Sequence, residues 1–220
     1  MNFQIYDEDK VFPFLLVDDW YTPEEELLIW KELDFYTTYH TMHRAEEVGE
    51  DGAHNAATFS DGSSKAKTFR IYPDHLYTRD NRDTSHILRL QYPKIFCDDM
   101  KDVMKKTTPV HRTWLTSNAD YSLISYGETN DYYKSHHDVF IMSVLIWFHR
   151  EPKAFSGGDF TFSDTGIVVE PKHNRLVIFP SYYEHSVSPI IMHDENKEIG
   201  WGRYTIVHFY FHLPDTHQYK

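Results

Sequence analysis

Residues 121–148 read YSLISYGETNDYYKSHHDVFIMSVLIWF. Two runs rich in β-branched and aromatic residues, 121–126 and 141–148, flank a polar excursion containing Gly127, Asn130 and Asp131, the pattern of two strands joined by a long connection. The same texture continues downstream. Short β-type segments recur at 159–162, 166–169, 175–179 and 204–212, set apart by Gly, Asn and Pro. Six short strands at this spacing predict a sandwich or barrel.

Upstream of residue 113 the character differs. Residues 11–17 form a short apolar run with Pro13, which suits an outer strand. A helix is expected from Thr22: Thr22 can cap, Pro23 fits the first helical position, and Glu25 completes a capping box. Leu27, Leu28, Trp30 and Leu33 would be its buried stripe. A second helical stretch runs over 85–106, with Ile87, Leu88, Ile95, Phe96, Met100, Val103 and Met104 on one face and Pro93 expected to kink or split it. Between the two helical regions, 37–67 is polar and glycine-bearing without either periodicity, as a disordered segment or a functional lid would be. Helices first and strands after give an α+β arrangement: one domain over 1–220, in which 1–112 supplies supporting helices and the insertion, and 113–220 is a mainly β core.

Composition narrows the function. Twenty-two Lys and Arg against 34 Asp and Glu leave a net charge of −12, which repels a polyphosphate backbone and argues against nucleic acid as partner. It favours a neutral or basic substrate over an acidic one. A single cysteine, Cys97, excludes an internal disulfide and suits a reducing compartment. The first ten residues are acidic where a signal peptide needs positive charge, and no apolar run approaches the ~18 residues of a membrane span. The expectation is a cytoplasmic protein with no membrane partner.

His136 and Asp138 carry the chemistry. In an extended chain residues i and i+2 share a face, so both can grip one ion while His137 points away. His185, just beyond the 175–179 strand, supplies a third donor. Two imidazoles and one carboxylate are the ligand set of non-haem Fe(II) oxygenases, and zinc can use the same residues. Arg203 and Thr205 open the last strand on one face; a guanidinium with a hydroxyl beside it suits a carboxylate-bearing co-substrate. Arg70 and Tyr72, just after the insertion, are candidates to flank a substrate groove.

The strings SYGETNDYYKSHHD, SGGDFTF, EPKHNRLVIFP, EHSVSPI and GRYTIVHFYF stand in the order found in the iron- and 2-oxoglutarate-dependent dioxygenases of the prolyl 4-hydroxylase type, and the chain resembles that family over 121–212. The resemblance implies a double-stranded β-helix, a jelly roll of cupin-like form, with N-terminal helices packed outside. It implies His136, Asp138 and His185 as iron ligands, with 2-oxoglutarate and O2 as co-substrates and ascorbate as a reductant for the iron. Arg203 would pair with the distal carboxylate of 2-oxoglutarate, helped by Thr205. Tyr126 would hydrogen-bond the same co-substrate, and Tyr133 would line the substrate pocket. Trp147 stands where relatives often carry tyrosine and can donate but not accept a hydrogen bond. Gly157, Gly158 and Asp159 match a turn that shapes the backbone. The implied reaction is hydroxylation of peptidyl proline in a peptide or protein.

Alternatives stay open at this stage: a dioxygenase acting on another side chain or a small metabolite, a metal-binding jelly roll without turnover, or a zinc hydrolase. The last lacks a glutamate base in His-Glu-x-x-His spacing and has no use for Arg203.

Overall fold

Strands dominate because the C-terminal half alternates. In the strand Arg203–Phe211 every residue but the last is buried, which requires covering material on both sides. Two different layers provide it. The structure, a computed structural model, describes residues 1–6, 12–38, 41–47, 56–78, 80–107, 109–194 and 198–213. An eight-stranded sheet runs in the order Asn2–Tyr6, Phe14–Asp18, Arg175–Pro180, Met142–Phe148, Arg203–Phe211, Ala119–Gly127, Phe69–Ile71 and His43–Arg44. A five-stranded sheet runs Ile167–Val169, Phe160–Phe162, His185–Val187, Tyr132–His136 and Ala66–Lys67. Phe155–Gly157 and Ile190–Met192 form a small ribbon. All pairings are antiparallel, and this is the expected double-stranded β-helix with helices outside.

Between the two sheets lies one apolar cluster, including Leu123, Leu145, Trp147, Phe160, Phe162, Phe179, Val207 and Phe209. The other face of the large sheet carries Ile124, Tyr126, Ile146, Phe148, Tyr204, Ile206 and Tyr210 against helical residues Ile29, Leu33, Tyr36, Ile87, Ile95, Met100 and Met104. The period-two alternation of each central strand thus feeds two cores at once.

The first helix, Pro23–Thr38, starts on the expected capping box: Thr22 N–H donates to Glu25 Oε2 at 2.9 Å and Glu25 N–H to Thr22 Oγ1 at 3.3 Å. Its buried stripe differs from the expected one. Leu27 is 65% exposed, and the buried positions are Ile29, Glu32, Leu33, Tyr36 and Thr37. Glu32 explains the rotation. Its carboxylate accepts from Ser85 Oγ, Ile87 N–H and Tyr36 Oη, so the anion sits at the start of the helix His86–Ile95, where exposed amides favour it. The second helical stretch is split, as anticipated, into His86–Ile95 and Asp98–Lys106; the break falls at Phe96 and Cys97, a few residues after Pro93, which the last turn accommodates.

One further expectation is corrected and another refined. Phe14–Asp18 is not the outer strand, because Asn2–Tyr6 pairs along its free side; Pro13 precedes the ladder and costs it no donor. The described parts of 37–67 are largely turns, but they are tied in at three places: His43–Arg44 joins Phe69–Ile71, Thr58 bridges Ser64, and Ala66–Lys67 lies beside Tyr132–His136. Residues 39–40 and 48–55 of that segment, like 195–197 of the loop before the last strand, lie outside the described residues. No described helix is long and apolar enough to cross a membrane.

Candidate metal centre

Tyr132–His136 ends beside His185–Val187, with His136 and His185 as direct partners, so strand pairing alone brings the two imidazoles together. Their ring centroids are 4.3 Å apart. Asp138 follows two residues after His136 and is fixed by its N–H donating to Ser181 O at 2.8 Å. One ligand atom from each of His136, Asp138 and His185 lies within 4.8 Å of the others.

Each imidazole is set in one tautomer. A backbone carbonyl only accepts, so His136 Nδ1–H donates to Lys134 O at 2.9 Å and His185 Nδ1–H to Tyr183 O at 2.8 Å. Both Nε2 lone pairs then face Asp138, at 3.8 Å from Oδ1 and 3.7 Å from Oδ2, too far for hydrogen bonds. Burial holds the His136 pKa down to about 2, helped by His185 and by the positive Arg70 and Lys65, so the ring is neutral and ready to ligate. Tyr133 stacks on His136 at 3.5 Å between centroids, and Phe160 stacks on His185 at 5.2 Å. The donor set, its tautomers and its rigid flanks fit a divalent iron.

The same cavity is lined by Leu123, Leu145, Trp147, Phe160, Val207 and Phe209 and by the buried Thr205 and Arg203. Arg203 is buried, and burial brings its pKa down to about 10 with Asp159 offsetting part of the loss. Its Nη1–H donates to Gly158 O, while Nε, Thr205 Oγ1 and Trp147 Nε1 have no hydrogen-bond partner among the described residues. A buried cation and a buried hydroxyl left this way are costly unless a ligand satisfies them. They fit an anionic carboxylate. Gly157 and Gly158 make room: both sit at φ +69°, and a Cβ on Gly157 would meet Pro189 O at 2.2 Å.

The candidates divide as follows. His136, Asp138, His185, Arg203, Thr205, Trp147, Tyr133 and Arg70 all line the one cavity. Tyr126 does not. It stands on the opposite face of its strand, where its hydroxyl donates to Glu128 Oε1 at 2.6 Å and accepts from Gly200 and Gly202 N–H. Alternation puts Leu123 and Ser125 on the cavity face in its place. Tyr72 also lies off the cavity lining, stacked on Tyr121 and His75. Arg70 packs over the Tyr133 ring at 4.8 Å. The charged residues of the lining are two arginines and Asp138, so the net charge of −12 does not describe the cavity. Residue-by-residue reading missed Ser125 and Thr68 in the lining and Ser143 beside Asp138; counting back by twos from Trp147 along its strand reaches Ser143.

Residues 121–211 match the model of the 2OG-Fe(II) oxygenase superfamily. The sequence resemblance to that superfamily holds over these residues, and the fold is prolyl 4-hydroxylase-like. A Pseudomonas putida prolyl-4-hydroxylase is similar in structure with TM-score 0.58 and 14% identity, covering 94% of this chain and 97% of that one. A Trichoplax adhaerens prolyl hydroxylase, solved with a hypoxia inducible factor oxygen degradation domain peptide fragment, matches with TM-score 0.58 and 12% identity over 90% of this chain and 83% of its own. A non-haem α-ketoglutarate-dependent epimerase from nogalamycin biosynthesis matches with TM-score 0.51 and 10% identity over 89% and 76%. No curated protein matches the chain in sequence.

Proposed function

We propose that this chain is an Fe(II)- and 2-oxoglutarate-dependent dioxygenase that hydroxylates a C–H bond, with a prolyl residue of a peptide or protein as its substrate. The observation that carries the reading is one cavity lined by both a His136, Asp138, His185 donor set and a buried Arg203 and Thr205 whose polar atoms lack partners among the described residues. In this reading the triad holds iron, Arg203 and Thr205 take the distal carboxylate of 2-oxoglutarate, and Trp147 Nε1–H borders the co-substrate. Iron, 2-oxoglutarate and O2, when bound, would supply the oxidising chemistry: one oxygen atom of O2 goes into succinate as CO2 is lost, and the other into the new hydroxyl group.

The protein's part is orientation and exclusion. Arg203 would fix which end of the co-substrate reaches the triad, and the apolar Leu123, Leu145, Phe160 and Val207 of the same lining would keep water out. No side-chain acid or base is needed at the oxidised carbon. Tyr133 and Arg70 at the cavity, with Tyr72 further out, are the residues proposed to meet the substrate. Support for a prolyl substrate comes from the prolyl hydroxylases that share the fold; the epimerase on the same fold marks another small-molecule reaction as the rival outcome.

The test is succinate formation from 2-oxoglutarate with Fe(II) and ascorbate under air, for wild type and His136→Ala, with and without a proline-rich peptide pool. Succinate that needs His136 and rises with peptide supports the reading. His136-dependent succinate without peptide stimulation keeps the chemistry and removes the prolyl substrate. Metal binding without succinate in any condition sinks the enzyme reading.

A further inference from the structure

We infer that Ser143, backed by Ser181, is a positioning residue that holds Asp138 to ligation of the metal through one oxygen. The inference rests on the reading of His136, Asp138 and His185 as the metal's ligands.

Ser143 sits in Met142–Phe148, a strand that is otherwise wholly apolar, and both it and Ser181 are 0% exposed. A hydroxyl in such a place costs stability unless it is bonded. Ser143 Oγ–H donates to Asp138 Oδ2 at 2.6 Å, and Ser143 Oγ lies 2.8 Å from Ser181 Oγ. A hydroxyl has one proton, and the carboxylate can only accept. The chain of donation therefore runs from Ser181 to Ser143 to Asp138 Oδ2.

The main chain is secured separately. Asp138 N–H donates to Ser181 O, and Ser181 N–H donates to Ile141 O at 3.1 Å. Ser143 consequently acts on the carboxylate rather than on the loop that carries it. Its bond takes one lone pair of Oδ2, which lies 3.7 Å from His185 Nε2, and leaves Oδ1 without a hydrogen-bond partner among the described residues, 3.8 Å from His136 Nε2. A carboxylate free to turn can grip a cation with both oxygens; one held by a short hydrogen bond at Oδ2 is turned to favour ligation through Oδ1. That choice matters because two imidazoles and one monodentate carboxylate leave three positions of an octahedral ion open, whereas a bidentate carboxylate leaves two. A keto acid that chelates takes two by itself. Ser143 thus keeps one position available beyond the co-substrate.

The test uses the full-length, metal-free chain titrated with Co(II), read by its visible absorption, together with anaerobic titration of the Fe(II)-loaded protein with 2-oxoglutarate, read by the visible band of the chelate. Ser143→Ala is expected to bind Co(II) about 10- to 100-fold more weakly, with an altered Co(II) spectrum, as loss of a residue that orients a ligand does. Ser181→Ala, which leaves the Ser143 bond in place, should lose less. Ser143→Cys, a weaker donor of similar shape, should fall between wild type and Ser143→Ala, and it carries the test if the alanine variant does not fold. Wild-type Co(II) affinity and spectrum in whichever Ser143 variant folds, with binding abolished in His136→Ala, would overturn this inference alone. Equal binding by wild type and His136→Ala would instead overturn the metal reading beneath it.

Discussion

The two faces of the strand Arg203–Phe211 treat buried polar atoms differently. Toward the helices, Tyr204 Oη donates to Thr37 Oγ1 at 3.1 Å, and His208 Nδ1 meets Ser122 Oγ at 2.8 Å. On the neighbouring strand Tyr126 Oη makes three hydrogen bonds. Toward the cavity, Arg203 Nε, Thr205 Oγ1 and Trp147 Nε1 have none among the described residues. The helix side has its own unpartnered atoms, His208 Nε2 and Gln91 Nε2, but neither lines the cavity. Where several such atoms converge on one space beside a metal-type donor set, they mark a binding site; singly, they mark the cost of packing.

The largest effect should come from the cavity side. His136→Ala or Asp138→Ala is expected to abolish Fe(II)-dependent succinate formation while the metal-free protein keeps its melting temperature within a few degrees, because these groups serve the ion rather than the core. Unfolding of both variants at the wild-type assay temperature would show that this face is structural too. Next, Arg203→Met should weaken 2-oxoglutarate binding about 100-fold, the loss of a charge-assisted pair, and leave Co(II) affinity within about twofold. The metal-free variant should be at least as stable as wild type, since a buried charge has been removed. Parallel loss of both affinities would break the contrast between the donor set and Arg203.

Smaller effects are expected on the helix side. Tyr126→Phe removes a hydroxyl with three partners and should cost about 1–3 kcal/mol in denaturant unfolding, with 2-oxoglutarate affinity unchanged. A selective fall in that affinity would return Tyr126 to the site. The last effect concerns pH. Burial, with Arg82 adding to it, lowers the His208 pKa to about 3, against an ordinary value near 6.5. Its share of stability is full above about pH 6.5 and is lost as pH falls toward about 3, because only the unfolded chain takes up the proton readily. Between those limits it contributes a slope of about 1.4 kcal/mol per pH unit. His208→Gln should flatten the unfolding free energy measured between pH 7 and pH 5 by that share; an unchanged slope would mean the ring is charged in the fold.

Much of the β core was legible because hydrophobic period and turn residues are local signals. Met142–Phe148, Arg175–Pro180 and Arg203–Phe211 fall within a residue of their expected bounds. Strands of a few residues, such as His185–Val187 and Ile190–Met192, are too short to show a period, and their partners hold them. Glu32 shows the opposite failure. A stripe drawn through leucines looks sound locally, yet a distant helix start recruits the carboxylate and turns the helix to bury it.

From the sequence alone came the His136–x–Asp138 spacing, the candidacy of His185 and Arg203, and a family resemblance that the fold bears out. These follow from covalent order and side-chain chemistry, which every copy of the chain carries before it folds. Only the tertiary structure decided that Tyr126 faces the helices while Ser125 faces the cavity, since a strand's face depends on which layer covers it. It also decided that an acidic chain encloses a cavity with two arginines, and that Ser143 reaches Asp138. Those are contacts between segments, set by strand register and sheet packing, and no local pattern encodes them.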